Sequence, residues 1–585
     1  MAAPGSWGGV LQAIERELAA AQRQAQSYEL ENGQLVGPAP EGWLYHFTLE
    51  HEAPFPEGTE GQLLLEGRKW RVEATVVGLV PPHLYLVAEV AVEEPLPSRI
   101  PYARFRPEAW RVLLALKRVV TEELVPSGRP PRLPDPDEGP GEALQADLAD
   151  LPLEHNPAQR EAARLVARAR ACAIWGPPGT GKTGTLALAV GALLLAGRRV
   201  LVVAPSNTAT DEAARQLASL LERRGHEERL ASVLRYGFPV RQEVREHPRI
   251  SPKAHLRRLR PDLVERWDRL EAEVQQARRQ QGSERRAAAA LRELAVIRQQ
   301  AREALRQHLP QVRVLVTTVA MSVTDPAVRS AGPFDHVVVD EGSMVGLAFL
   351  LATAPLGRRL ALFGDFRQLP PVTISSAAEV ERWLGSTGFD AWGLPRLAPQ
   401  DPLPPYVRML DIQYRMHPDL REVVSRLAYG GRLRDAEEAA QRRREEASRE
   451  PYAGHALVCV LLGSVGAQSW RPGEERSWWN ETSAALALAI ADRALEAGYP
   501  DAAVITVYSP QARLLYRMTR DLGLQERIRS GTVHRFQGSE APVAVLDTIR
   551  ARWPLQRRHS FFVDDEQELA TRLLNVALSR AQLRA

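Results

Sequence analysis

The sequence predicts an α/β fold of the P-loop NTPase kind, and three observations predict it. The apolar run Ala171-Cys172-Ala173-Ile174-Trp175 has the length of a buried strand, feeds a glycine-rich octet and is followed by a helix-like stretch, Thr185 to Leu195. A second apolar run, His336-Val337-Val338-Val339, ends in the acidic pair Asp340-Glu341. Further short motifs follow in order along the chain, the last being Asn575-Val576-Ala577-Leu578-Ser579-Arg580-Ala581.

The octet Gly176-Pro177-Pro178-Gly179-Thr180-Gly181-Lys182-Thr183 is a P-loop, because strand, turn and helix come in the required order. Its glycines let backbone N–H groups close around a β-phosphate, and the following helix N-terminus adds a positive end. Lys182 reaches the β/γ oxygens of ATP and the Thr183 hydroxyl ligates Mg²⁺. Lysine is scarce: Lys69, Lys117, Lys182 and Lys253 are the only ones among 75 basic residues. One of those four stands where a phosphate-binding point charge is needed. The Asp340-Glu341 pair at the tip of an apolar strand is a Walker B pattern, with Asp340 holding Mg²⁺ and Glu341 polarising the attacking water as general base.

Leu362-Phe363-Gly364-Asp365-Phe366-Arg367-Gln368-Leu369-Pro370-Pro371 and Gln413-Tyr414-Arg415-Met416-His417-Pro418 extend the series. With Asn156-Pro157-Ala158-Gln159, Pro205-Ser206-Asn207-Thr208, Arg235-Tyr236-Gly237-Phe238-Pro239, Thr317-Thr318, Tyr508-Ser509-Pro510-Gln511 and Phe536-Gln537-Gly538-Ser539-Glu540, the chain resembles the superfamily 1 helicases of the nonsense-mediated-decay type. That group also includes the immunoglobulin mu-binding-protein helicase, and the match runs from about Leu153 to Arg580. The resemblance implies two RecA-like lobes, 153–380 and 406–585, joined by 381–405, with ATP in the cleft and a single strand of DNA or RNA crossing both. It implies that Gln159 reads the adenine edge, Gln368 senses the γ-phosphate, Glu540 touches the nucleotide, and Arg415 and Arg580 are arginine fingers. A guanidinium suits that role because phosphoryl transfer spreads charge over the γ-oxygens. It also implies an ATP-dependent helicase or translocase moving 5′ to 3′.

Nucleic-acid contacts are expected from Ser206, Asn207, Thr208, Thr317, Thr318 and Thr532, since small hydroxyl and amide side chains at strand ends suit backbone contact without base reading. Each residue taken singly reads better as a helix cap or turn residue. The chain departs from the group's pattern at His534, Ala541-Pro542, Gly342 and Phe366, none of which removes a catalytic charge. It also ends at Ala585, shortly after the last motif, where the group continues into another core strand. The expectation is a truncated chain or a second lobe that ends early.

Residues 1–128 read as stalk helices and a small β-barrel. Val10 to Tyr28 and Pro107 to Leu124 carry helical periodicity, and Trp43-Leu44-Tyr45-His46-Phe47 and Trp70-Arg71-Val72 are β-like. The stretch 129–152 contains a Pro/Gly-rich linker. Within the first lobe, 253–310 reads as an inserted antiparallel helical hairpin turning at Gln281-Gly282-Ser283. One stripe carries Leu256, Leu259, Leu263, Trp267, Leu270 and Val274, another Leu291, Leu294 and Ile297. The hairpin holds 14 basic and 8 acidic residues, a net +6 against +3 for the whole chain. Phosphate contacts, a solvated face or a protein-docking arm would each account for that excess.

The 585 residues leave room for several domains at roughly 100–200 residues each. Two cysteines, Cys172 and Cys459, exclude a disulfide framework, a zinc module and a four-cysteine iron–sulfur cluster. No run approaches the roughly 18 consecutive apolar residues of a membrane span, and Met1 to Gly9 lacks the basic start and apolar core of a leader. The expectation is a cytoplasmic monomer, and the preference for arginine over lysine suggests a GC-rich bacterial genome. Two other activities fit the same motifs: an ATPase that strips proteins from nucleic acid without unwinding, and an ATP-gated clamp with little turnover.

Overall fold

The computed structural model describes residues 6–24, 27–39, 42–49, 59–65, 71–80, 83–89, 97–108, 110–136, 156–279, 284–398, 401–462, 469, 477–549 and 567–585. Packing divides the chain into two compact units. Residues 1–173, 183–363 and 371–392 form the first; 174–182, 364–370 and 393–585 form the second.

The first unit opens with a helix, Trp7–Gln24, and the strands β1 (Tyr28–Ala39), β2 (Gly42–Leu49), β3 (Glu60–Leu65), β4 (Arg71–Val80), β5 (His83–Glu89) and β6 (Arg99–Pro107). These close into an antiparallel barrel in the order β1-β2-β5-β4-β3-β6. Alternate residues point inward, so Tyr45, Phe47, Leu63, Leu84, Leu86 and Phe105 are fully buried. Tyr28, read as the end of the first helix, instead starts β1. Trp70 lies outside the described residues. A second stalk helix, Arg111–Val119, continues through a π-turn, Val120–Leu124.

Most of the Pro/Gly-rich linker lies outside the described residues. Its early part is held in place: Leu133 is buried, and the Pro134 carbonyl accepts the Trp392 indole N–H at 3.2 Å.

A sheet follows, formed by β7 (Ala171–Trp175), β8 (Val200–Ala204), β9 (Val233–Arg235), β10 (Val314–Thr318), β11 (Phe334–Val339) and β12 (Gly357–Gly364). These strands stand in the order β7-β12-β11-β8-β10-β9. The pairs β12–β11, β11–β8, β8–β10 and β10–β9 are parallel. β7, β8 and β10 are buried at every residue, which is why they read as unbroken apolar runs. Consequently the C-terminal ends of β11, β8, β10 and β9 share one edge of the sheet.

The insertion between β9 and β10 comprises a short helix, Pro252–Leu259, and two long helices, Pro261–Arg279 and Glu284–His308. Its turn, Gln281-Gly282-Ser283, and the side chains of Val274, Leu291 and Leu294 lie outside the described residues. Leu263, Leu270 and Ile297 form one apolar cluster with the barrel core, and Trp267 packs on that cluster. The apolar stripe is therefore covered by the barrel of the same chain. Leu259, placed on the stripe by periodicity, is 36% exposed, because a one-residue break before Pro261 turns the next helix away. The hairpin's charges pair among themselves, Lys253 with Asp268 at 2.5 Å, Arg266 with Glu293 at 2.6 Å and Arg298 with Glu271 at 2.7 Å.

The segment expected to join the lobes is compact at its start: Trp383 and Phe389 are buried in short helical turns that belong to the first unit through Trp392. The second unit contains the short strands β13 (Val407–Met409), β14 (Ile412–Gln413) and β15 (Arg434–Asp435). Its main sheet is built from β16 (Ala502–Thr506), β17 (Ile528–Thr532), β18 (Ala541–Asp547) and β19 (Ala581–Arg584). The order is β17-β16-β18-β19, all parallel.

β19 follows the last motif directly. Its Ala581 pairs with Ala541, and buried Arg584 donates to the carbonyls of His455 and Ala447 at 2.7 and 2.8 Å. Four residues suffice because β18 supplies a ready parallel edge.

Truncating a side chain in the barrel–hairpin cluster removes apolar contact and leaves a cavity. Leu270→Ala is expected to cost about 2–5 kcal/mol in the unit that contains it, read as a lowered first thermal transition by calorimetry. An unchanged transition would mean that the hairpin contributes no stabilising contact to the barrel.

Candidate functional site

In the first unit, β11 delivers Asp340 to the sheet edge, where its carboxylate is 2% exposed and accepts the Glu341 N–H at 2.9 Å. The Thr183 hydroxyl stands 3.4 Å from Asp340 Oδ2. The two groups expected to hold Mg²⁺ are thus brought together, at a spacing longer than a strong O–H···O bond. Their donor set, one hydroxyl and one carboxylate, fits a small divalent cation that keeps most of its water. Glu341 adopts φ 49° and ψ 40°, left-handed values that cost a non-glycine residue about 1–3 kcal/mol. That strain falls on the residue expected to act as general base. Gln159 caps the Pro157–Arg168 helix reciprocally with Asn156, its Oε1 accepting the Asn156 N–H at 3.0 Å. This fixes the orientation of the carboxamide, with Nε2 as its donor end.

In the second unit, the P-loop segment Ile174–Lys182 lies against Gly364–Pro370 and the Gln413–Met416 turn. Gly176 N–H donates to the Gly364 carbonyl at 2.9 Å, and Tyr414 N–H to the Gly179 carbonyl at 2.8 Å. Gly179 has φ +75°, and a Cβ there would stand 2.6 Å from Arg415 Cβ. Both the backbone conformation and the missing side chain are therefore required.

Asp365 is fully buried and accepts four hydrogen bonds: Trp175 Nε1 at 2.9 Å, Tyr429 Oη at 2.6 Å, Gln368 Nε2 at 2.8 Å and Arg367 N at 3.1 Å. Asn575 donates in turn to Tyr429 Oη at 2.7 Å and to the Arg367 carbonyl at 3.0 Å. Burial and the neighbouring Asp365 carboxylate push the Tyr429 pKa well above its usual value, so its phenol stays a donor. Gln368 is thereby linked through one carboxylate to the strand before the P-loop and to the Gln567–Leu578 helix. Sequence reasoning named the motif around Asp365 but gave the acid no role. Tyr429 carried no signal of its own.

Arg415 and Glu540 form an ion pair, Nε to Oε2 at 2.6 Å, and Arg415 also donates to the Ser579 carbonyl at 3.3 Å. Arg580 is 2% exposed and donates to the carbonyls of Val576 at 2.9 Å, Ser539 at 3.1 Å and Phe536 at 3.4 Å. The structure therefore gathers Arg415, Glu540 and Arg580 around the last motif, with both guanidinia holding protein acceptors.

The expected nucleic-acid residues divide between the units. In the first, β8 ends in Ser206, which caps the Asn207–Arg223 helix by accepting the Ala209 N–H at 3.2 Å. Its neighbour β10 ends in Thr318, which caps the Val319–Thr324 helix through the Met321 N–H at 3.1 Å. Ser206 and Thr318 are thus helix caps, and Thr208 lies in the first turn so capped. Asn207 accepts from Arg235 at 3.0 Å, and Thr317 is buried with no partner for its hydroxyl among the described residues. Two helices thus begin at the ends of the adjacent parallel strands β8 and β10. In the second unit Thr532 ends β17 ahead of the Val533–Phe536 turn.

Two family profiles, each described as an AAA domain, match residues 154–376 and 395–584. Among similar proteins, the "DNA-binding protein SMUBP-2" of Mesocricetus auratus is 28% identical over 73% of this chain and 42% of its own length. The "Regulator of nonsense transcripts 1 homolog" of Neurospora crassa is 28% identical over 70% of this chain and 35% of its own. An uncharacterised ATP-dependent helicase of Methanocaldococcus jannaschii is 24% identical over 70% of this chain and 63% of its own. The chain belongs to this superfamily 1 helicase group. It spans 42% of the length of the first curated relative it matches. Among the described residues, no helix is long and apolar enough to cross a membrane.

Gly179→Ala is expected to abolish nucleotide-dependent activity, since the new Cβ meets Arg415 Cβ at 2.6 Å and the φ of +75° disfavours any side chain. Titration with a fluorescent ATP analogue checks this. Wild-type affinity and turnover would show that the loop can rearrange without loss.

Proposed function

We propose that the chain is an ATP-dependent nucleic-acid helicase or translocase that acts on single strands. The observation that carries this reading is the shared sheet edge. Parallel neighbours β11, β8 and β10 end, respectively, in the Asp340-Glu341 pair and in two capped helix N-termini. The residues expected to act in hydrolysis and those expected to contact nucleic acid thus lie at the ends of adjacent strands, which supports this reading.

In the hydrolytic step, Lys182 and the P-loop N–H groups neutralise the β/γ-phosphates, and Glu341 takes a proton from the attacking water. Thr183 and Asp340 would hold Mg²⁺, which supplies charge neutralisation to the phosphates when bound. Gln368 reports the γ-phosphate through Asp365 to Tyr429 and Asn575. Arg415 and Arg580 stabilise the developing charge once they exchange their present acceptors, Glu540 and main-chain carbonyls, for phosphate oxygens. Gln159 orients the base and Glu540 contacts the nucleotide when released by Arg415. Movement from 5′ to 3′ rests on the family resemblance alone.

Lys182→Ala is expected to weaken ATP binding, whereas Glu341→Gln should retain binding and lose turnover. Arg415→Ala should reduce kcat by a large factor, with ~10³ as the reference for a full finger, and change ATP affinity far less. Binding titrations, together with ATPase assays stimulated by matched DNA and RNA single strands, separate these outcomes. Near-normal turnover in Glu341→Gln would remove it from the general-base role. Strand-displacement assays with the wild type distinguish unwinding from protein stripping.

A further inference from the structure

The turn after β9 is built around a dry ion pair. Arg235 Nε donates to Asp211 Oδ1 at 2.6 Å, both side chains being 0% exposed. The remaining guanidinium nitrogens hold what lies around them: the Tyr236 carbonyl, the Phe238 carbonyl at 3.2 Å and Asn207 Oδ1 at 3.0 Å. Asp211 Oδ2 accepts the N–H groups of Val240 and Arg241 at 2.7 and 2.8 Å. Tyr236 is fastened twice more, its N–H to the Val316 carbonyl of β10 at 2.9 Å and its hydroxyl to Asp325 at 2.7 Å.

A buried ion pair of this kind contributes little net stability, because desolvation offsets the attraction. What it does here is define a loop. Asp211 Oδ2 and the two terminal guanidinium nitrogens of Arg235 act on residues 207 and 236–241, so the turn is fixed to the start of the Asn207–Arg223 helix.

On that turn, Tyr236 and Pro239 are buried while Phe238 between them is 42% exposed. Gly237, with φ +100°, makes the sharp bend, and its missing Cβ would lie 3.8 Å from the Thr317 hydroxyl. The exposed ring therefore stands on a loop that passes beside β10, whose neighbour β8 ends in the other capped helix.

We propose that Phe238 is a base-stacking residue that receives one base of the bound single strand. The proposal deepens the nucleic-acid reading above and rests on it. An aromatic ring offers a π-face to any base, so contact of this kind adds affinity without sequence preference. Rigidity is what makes the ring useful, since a pre-placed side chain loses little freedom on binding.

The test compares two fluorescently labelled probes of equal length, an oligothymidylate and its abasic counterpart, binding to the full chain in anisotropy titrations. Phe238→Ala is expected to weaken oligothymidylate binding about 5- to 100-fold, as loss of one stacked base predicts. Affinity for the abasic strand should be unchanged, and Phe238→Trp should retain wild-type binding. Because the ring is exposed, the thermal transition serves as a fold control and should not move. Unchanged oligothymidylate affinity, or equal loss on both probes, overturns the stacking role while leaving the nucleic-acid reading standing. Wild-type protein that binds neither probe overturns both.

Discussion

A single buried carboxylate organises the second unit. An ionised Asp365 at 0% exposure would be strongly disfavoured without donors, and it has four. The donors come from segments with different roles. Trp175 precedes the P-loop, Arg367 and Gln368 follow Asp365 in the turn after β12, and Tyr429 follows the Pro418–Ala428 helix. Because the acid's lone pairs are satisfied only when all are in place, the position of one segment is tied to that of the others. Asn575 extends the tie to the last motif by bonding both Tyr429 and the Arg367 carbonyl. The turn that holds Asp365 is thereby joined by hydrogen bonds to the helix that precedes Arg580.

The same economy explains where the guanidinia stand. Arg580, buried, and Arg415, paired to Glu540, already have acceptors of their own. If either meets a γ-phosphate, as the proposed function has it, some of those acceptors must be given up. The left-handed backbone of Glu341 points the same way in the first unit. A side chain held in a costly conformation at a strand tip persists only where its surroundings over-determine it, and such positions cluster at working sites.

Much of this was legible in the chain because local patterns and local chemistry coincide there. The P-loop, the Asp340-Glu341 pair, the barrel strands and the hairpin each announce themselves through runs or periods that short-range physics fixes. Three features were not legible for the same reason. Periodicity told that Leu263, Trp267 and Leu270 share a face, but not that a barrel about 200 residues earlier in sequence covers it, since period reports only which face avoids water. β19 was missed because Ala581–Arg584 carries no strand alternation and forms by pairing with the edge of β18. Asp365 and Tyr429 find each other across 64 residues, and nothing near either residue marks it as a partner.

The hairpin's charge gains meaning from where it is placed. Its net +6 left phosphate contacts, a solvated face and a docking arm open. Lys253 and Arg298 instead lie over the Trp267 ring, at 5.5 and 4.8 Å, while also pairing with Asp268 and Glu271. Cations so placed cover apolar surface with their stems and stack on an aromatic face, so they belong to the packing of the insertion on the barrel. The insertion is anchored at both ends to the sheet. His255, whose pKa burial pulls down to about 4, is neutral and bonds the Val233 carbonyl of β9 at 2.7 Å, while the Leu309–Gln311 turn runs straight into β10. β9 and β10 are the strands that carry the Phe238 turn and the Thr317-Thr318 cap. The barrel therefore connects through packed side chains and a short backbone path to the sheet edge.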